Sequence, residues 1–133
     1  MYVPCTVSDM SNDSYRALVL RPDGTRETVT IPRDHSELRT LQGIVGGYIE
    51  GVYGWTSEDA QAFDVTFMVH SEGKLLNQPV NVQATALWWS FNPGARGVDR
   101  LRGVVVVTGG ADGEGNTLAV PNQVVEVVER AGE

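Results

Sequence analysis

The sequence predicts a single α+β domain, a mainly antiparallel sheet of about five strands with two or three helices packed on one face. Three observations carry this. Short runs of strand formers recur between turn residues, one hairpin signature is explicit, and at least two segments carry apolar residues at helical spacing. A chain of 133 residues suits one domain. It buries roughly two-thirds of the surface its unfolded state exposes, so its core needs neither a metal nor a disulfide. The 41% hydrophobic and 20% charged composition argues against general disorder.

Residues 1–13 end in a Ser/Asn/Asp cluster and are expected to form a loose N-terminal extension, with the domain proper over 14–133. Residues 15–20 contain Ala17-Leu18-Val19-Leu20, and residues 25–31 alternate through Thr28, Val29, Thr30 and Ile31. Pro22-Asp23-Gly24 lies between them. Pro fixes φ and Asp-Gly accepts positive φ, which predicts a β-hairpin. Pro32 stops the second strand, and Asp34 or Ser36 is placed to cap a helix over 35–45 whose Leu38, Leu41, Ile44 and Val45 share a face. Gly46-Gly47 ends that helix, and residues 48–53 read as a strand.

Residues 54–62 form an irregular loop or one helical turn. A strand follows over 63–70, with Phe63, Val65, Phe67 and Val69 on one face. After the turn Ser71-Glu72-Gly73-Lys74 and the bend at Pro79, residues 83–89 form a short helix, and 91–97 a Pro/Gly loop. The valines of residues 102–108 predict a strand covered on both faces, hence central. A Gly/Asp-rich loop over 109–116 leads to residues 123–130. There Val124, Val125, Val127 and Val128 have helical spacing against the β propensity of valine, and helix is expected.

Catalytic and metal chemistry find little support. His35 and His70 have no second ligand at zinc spacing. His70 with Glu72 reads as a polar pair at an exposed turn. Asp112, Glu114 and Asn116 occupy the first, third and fifth places of a calcium loop, but Thr117 stands where the turn needs Gly and Gln123 where a bidentate Glu should be. The same loop lacks the Lys-Ser/Thr ending of a phosphate loop. Neither a metal nor a cofactor is expected, and no enzymatic activity. Cys5, the single cysteine, excludes an internal disulfide and reads as an exposed thiol.

The net charge of −7 disfavours direct nucleic-acid binding, and Arg96, Arg100 and Arg102 read as solvated loop arginines. No apolar run approaches membrane-spanning length, and the first residues lack a signal peptide's pattern, so cytoplasm is the expected compartment. Trp88 and Trp89 are neighbours on the expected helix and therefore about 100° apart around it. One of them is expected at the surface or at an interface.

Three stretches together resemble a known family: Leu41-Gln42-Gly43-Ile44-Val45-Gly46-Gly47-Tyr48-Ile49-Glu50; Glu72 through Asn81, running on to Ala84-Thr85-Ala86-Leu87; and Leu101 through Gly109 with its valine run. In this order they are similar to domain of unknown function 3846, common in actinobacteriophages and mobile elements. The resemblance spans roughly residues 15–130. It implies a phage provenance and the cytoplasm of a bacterial host, but no activity. Its motifs have a structural reading, with Asn77 and Asn81 bonding backbone around Pro79. They also have a binding reading, a shared groove of Tyr48, Glu50, Lys74, Asn77, Asn81 and Thr85, beside the Trp88–Trp89 pair. The leading expectation is a phage accessory protein that binds and modulates a host protein, with a homodimer as a further prospect. The alternative is a binder that sequesters a nucleotide signal of host defence.

Overall fold

The computed structural model describes residues 14–57 and 62–131. The expected N-terminal extension with Cys5 lies outside the described residues, as does part of the 54–62 loop. The elements in order are β1 (Ser14–Leu20), β2 (Arg26–Pro32), α1 (Glu37–Val45), β3 (Ile49–Gly54), β4 (Val65–His70), α2 (Val82–Phe91), a 3₁₀ turn (Pro93–Ala95), β5 (Val105–Gly109) and α3 (Asn122–Ala131). No helix among the described residues is long and apolar enough to cross a membrane.

The five strands form one sheet in the order β2-β1-β5-β4-β3, antiparallel throughout. The β1–β2 hairpin closes as its turn residues require: Asp23 Oδ1 accepts from the Thr25 amide at 2.9 Å and the Thr25 hydroxyl at 2.7 Å. The valine strand β5 is central. It pairs with β1 (Leu18 opposite Val107) and with β4 (Phe67 opposite Val107), and all five of its residues are buried.

The helices do not share one face, and the reason lies in the central strands. Successive side chains of a strand point to opposite faces. In β1 the odd positions Tyr15, Ala17 and Val19 pack with Ile31, Val106 and the α1 residues Leu41 and Val45. The even positions Leu18 and Leu20 join Val65, Phe67, Val105, Val107, and residues of α2 and α3. Both faces of β1 and β5 are thus apolar, and burying each large aliphatic side chain is worth about 1.5–3 kcal/mol. A single helical layer would leave one set in water. α1 covers one face; α2 and α3 cover the other.

Local signals account for some of the helix ends; at the start of α1, however, Ser36 makes no capping side-chain bond, because its amide donates to Asp34 Oδ1 at 2.7 Å and its hydroxyl to the same oxygen. α1 stops at Gly46, whose φ of +96° suits the left-handed C-terminal position and whose amide returns to the Gln42 carbonyl at 2.8 Å. α3 is helical despite its valines because its pattern is amphipathic. Val124 and Val128 are buried and Val125 and Val127 half-buried, while Gln123, Glu126, Glu129 and Arg130 face solvent. Several boundaries differ from expectation: α1 begins at Glu37 rather than 35, and α2 runs over Val82–Phe91 rather than 83–89. β5 begins at Val105 rather than 102, since residues 101–104 lead in from the preceding connection. Phe63 precedes β4, and its ring sits 4.3 Å from that of Tyr53.

Candidate functional site

The connection from β4 to β5, residues 71–104, wraps α2 and carries most of the sequence-derived site residues. Its opening turn is built on backbone bonds from Gly73 to His70 (3.1 Å), Leu76 to Glu72 (2.9 Å) and Gln78 to Gly73 (3.0 Å). Asn77 adopts a φ of +53°, a left-handed conformation that Asn tolerates better than most side chains. His70 is buried, and its Nδ1 accepts from the Glu72 amide at 3.0 Å. Glu72 therefore meets the ring through its backbone rather than as a carboxylate partner.

Asn81 and Thr85, expected candidates for a groove, are fully engaged inside the protein. Asn81 caps α2, its Oδ1 accepting from the Ala84 amide at 3.1 Å, and its Nδ2 donates to the carbonyls of Leu20 and Gly103, both at 2.9 Å. Its amide donates to the Leu101 carbonyl at 2.8 Å. Thr85 Oγ1 accepts from the Leu101 amide at 2.9 Å. One buried amide and one buried hydroxyl thus tie the ends of β1, α2 and the lead-in to β5 together, which is what a buried polar group must do to repay its desolvation.

The tryptophans are placed by the same connection. Trp88 is buried and donates from Nε1 to the Tyr53 carbonyl at 3.0 Å; Trp89 is half-buried and donates to the Asp99 carbonyl at 2.9 Å. Both rings pack on the cluster between α2 and the sheet. Neighbouring rings do so because residues 92–100 fold over Trp89 and extend that cluster past the helix itself.

The outer surface of the connection is different in character. Leu75, Leu76 and Val98 are 85%, 58% and 78% exposed. Val98 lines a cleft of about 440 Å³ together with Lys74, Asn77, Asp99, Arg100 and Arg102. A smaller cavity of about 140 Å³ adds Glu50 and His70. Leu101 turns inward at 4% exposure, so the flanking Arg100 and Arg102 emerge on the same side. Lys74 Nζ pairs with Asp99 Oδ1 at 2.6 Å, and this contact, aided by the Arg100 amide and the charge of Arg102, holds the Asp99 carboxyl below the usual aspartate range. Arg102 Nη1 donates to the Gln78 carbonyl at 2.9 Å. Four of the ten cations of the chain, Lys74, Arg96, Arg100 and Arg102, fall between residues 73 and 103, against one carboxylate, Asp99.

The structure therefore brings Lys74 together with Asn77 in one cleft and with Glu50 in the other. It leaves Asn81, Thr85 and Trp88 in the interior. Tyr48 is 74% exposed and lines neither cleft, although its carbonyl accepts from the Ser71 amide at 2.8 Å. Sequence reasoning missed the exposed Leu75, Leu76 and Val98 and the pairing of Asp99. The alternation Arg100-Leu101-Arg102 was the available signal that two of the loop arginines act from one side.

Among the described residues no group of three or more His, Cys, Asp or Glu converges as a metal site. In the 109–116 loop the Asp112 Oδ1 accepts from the Glu114 and Asn116 amides at 2.8 and 2.9 Å, a turn-closing role. Comparison with curated proteins and with solved structures gives no match. The family described as "Domain of unknown function (DUF3846)" matches residues 15–132. That match takes in the whole described sheet from Tyr15 onward, all three helices and the connection around Asn81, and the chain belongs to this family.

Proposed function

We propose that this is a bacteriophage accessory protein that binds and modulates a host protein in the host cytoplasm, acting as a binding protein rather than an enzyme. The observation that carries the reading is the surface of the 71–104 connection, where Leu75, Leu76 and Val98 stand in water and where Val98 lines one cleft and Leu75 another, each with Lys74, Arg100 and Arg102. Exposed aliphatic side chains grouped with charged ones are the mark of a protein-contact surface. The phage provenance rests on the family resemblance alone. A net charge of −7, with four cations against one carboxylate in this connection, favours a protein partner presenting carboxylates and apolar side chains over a nucleic-acid backbone.

The test is affinity capture from bacterial host lysate, comparing the native chain with Leu75→Asp and Val98→Asp. Both positions are exposed, so the variants fold. The expected result is a partner retained by the native chain and lost by both variants, identified by mass spectrometry and confirmed with purified components. Equal capture by all three proteins, or none by any, overturns the reading.

A second reading has its own observation. Three cations lining one cleft suit a small anion such as a nucleotide signal. It requires saturable binding of a nucleotide that Arg100→Gln weakens and Leu75→Asp leaves unchanged.

A further inference from the structure

Against α2 the structure holds a further cavity, which shares no lining residue with the two clefts of the proposed docking surface. The β1–β2 register places Arg26 opposite Leu20 and Thr28 opposite Leu18, on the sheet face that α2 and α3 cover. Those helices do not close over this edge. Between them remains a groove of about 340 Å³ walled by Ala86 and Leu87 of α2 and Val127 and Val128 of α3. That volume is in the range of small-molecule sites, roughly 300–1,000 Å³.

Its polar groups are few and unequal. Gln83 Nε2 is occupied by the Arg21 and Thr25 carbonyls, at 3.2 and 2.9 Å, which fixes the hairpin against α2. The Ser90 hydroxyl donates to the Ala86 carbonyl at 3.1 Å. Arg26 is exposed at the mouth, and among the described residues its guanidinium has no ion-pair partner. Glu27 pairs with Arg21 at 2.9 Å. Arg26 also lines an adjoining cavity of about 160 Å³, which it shares with Glu27 and Glu129; neither carboxylate lines the groove itself. Among the described residues Arg26 is thus the one charged group lining the groove, with its guanidinium donors above an aliphatic floor.

We propose that this groove binds a small amphipathic anion, an unbranched aliphatic chain lying along Ala86, Leu87, Val127 and Val128 with its carboxylate at Arg26. The aliphatic body displaces water from the walls, and the carboxylate takes a charge-assisted contact from the guanidinium fork.

The probes are decanoate and its neutral counterpart decanol, titrated into the full chain by calorimetry and methyl-detected NMR. Decanoate is expected to bind saturably, with shifts concentrated on Ala86, Leu87, Val127 and Val128. Arg26→Gln should weaken decanoate roughly tenfold, the loss of one charged contact, while leaving decanol unchanged. Ala86→Trp, on the exposed side of α2, fills the groove and should abolish both; an unchanged melting temperature shows that this variant is folded. No saturable binding, shifts located elsewhere, or equal weakening of both probes by Arg26→Gln overturns the proposal. Variants at Leu75 and Val98 leave these titrations untouched, so failure here is distinct from failure of the docking surface.

Discussion

The two connections that flank β5 are ordered in opposite ways. Residues 71–104, before it, are held by side chains reaching far along the chain. Asn81 Nδ2 meets the Leu20 carbonyl across 61 residues, and Trp88 Nε1 meets that of Tyr53 across 35. Residues 110–121, after it, are held mostly by their own neighbours. Asp112 gathers the amides of Glu114 and Asn116, Ala111 bridges Thr117, and the Leu118 amide returns to the Gly110 carbonyl at 2.9 Å. Long-range polar ties inside the first connection free its outer surface, so that Leu75, Leu76 and Val98 face solvent on a fixed frame. The second spends the polar groups of residues 111–118 chiefly on its own turn, and β1 and Arg33 tie it only near its end, where the Val120 amide donates to the Arg16 carbonyl at 2.9 Å and Arg33 Nη2 donates to the Thr117 carbonyl at 2.8 Å. The candidate site belongs to the first, where the buried Asn81 and Thr85 hold the exposed residues on a fixed frame.

The sharpest way to break the comparison is Asn81→Ala. It removes a helix cap and both donors to the buried Leu20 and Gly103 carbonyls. A lost cap costs about 1 kcal/mol, and each orphaned carbonyl about 1–3 kcal/mol more. Urea denaturation should show a loss of about 3 kcal/mol or more, and hydrogen exchange should rise across 71–104 with little change in 110–121. A uniform rise across both would show that the connections are not separately ordered.

Next in size is Gly109→Ala, where β5 hands over to the second connection. A Cβ there would lie 2.3 Å from the Ala119 carbonyl oxygen. The obstacle is backbone, itself tied by the Gly109 amide to the Leu118 carbonyl at 2.9 Å, so the strain has no flexible side chain to absorb it. The expected loss is about 2 kcal/mol by urea denaturation. Gly113→Ala in the same connection meets nothing within 4 Å and serves as its control.

Thr85→Val is milder. It keeps the shape and removes the acceptor of the Leu101 amide, leaving that buried N–H without its 2.9 Å bond. A loss of about 1–2 kcal/mol is expected, smaller than for Asn81 because one group is orphaned instead of several. An equal loss would mean that the cap and carbonyl ties of Asn81 contribute little.

How much of this was legible in the sequence follows from the same distinction. Features set by neighbouring residues were readable: the Asp23-Gly24 turn, the Gly46 helix stop, the i, i+4 spacing of Val124 and Val128. The central place of β5 was readable too, because four consecutive valines demand cover on both sides. The division of helices between the faces followed from that same demand but depended on where α1 docks, which no local pattern encodes. The site was legible only in part. Lys74, Asn77 and Glu50 do face clefts, yet Asn81 and Thr85 are polar residues whose partners, the carbonyls of Leu20 and Gly103 and the amide of Leu101, only the folded topology supplies. Trp89 likewise needed the path of residues 92–100, whose Asp99 carbonyl takes its indole N–H.

The smallest effect offers the finest test, because each connection holds one carboxylate below its ordinary value by a different means. Asp99 is lowered first by its contact with Lys74. Asp112 is lowered first by the backbone amides of Asn116 and Glu114. A charged partner on the surface is screened by salt, the Debye length falling from about 10 Å at 0.1 M to 3 Å at 1 M, whereas amides fixed by a turn stay in place. Carbon-detected NMR titration should show Asp99 moving up toward its ordinary value of 3.8 in Lys74→Gln, and partway in 1 M salt, with Asp112 unmoved by Lys74→Gln and moved less than Asp99 by salt, because the charge of Arg33 acts on it only after the turn amides. The linkage has one sign for both groups. A carboxyl depressed in the folded state contributes stability that is present above 3.8 and is lost as pH falls through its lower folded value. Lys74→Gln should therefore lower stability at neutral pH by a small amount, as expected of an exposed pair, and the difference from the native chain should vanish once acid has protonated Asp99. If Asp112 rises together with Asp99 in Lys74→Gln, the two connections share an electrostatic field and the distinction between remote and local ordering fails at its charged groups.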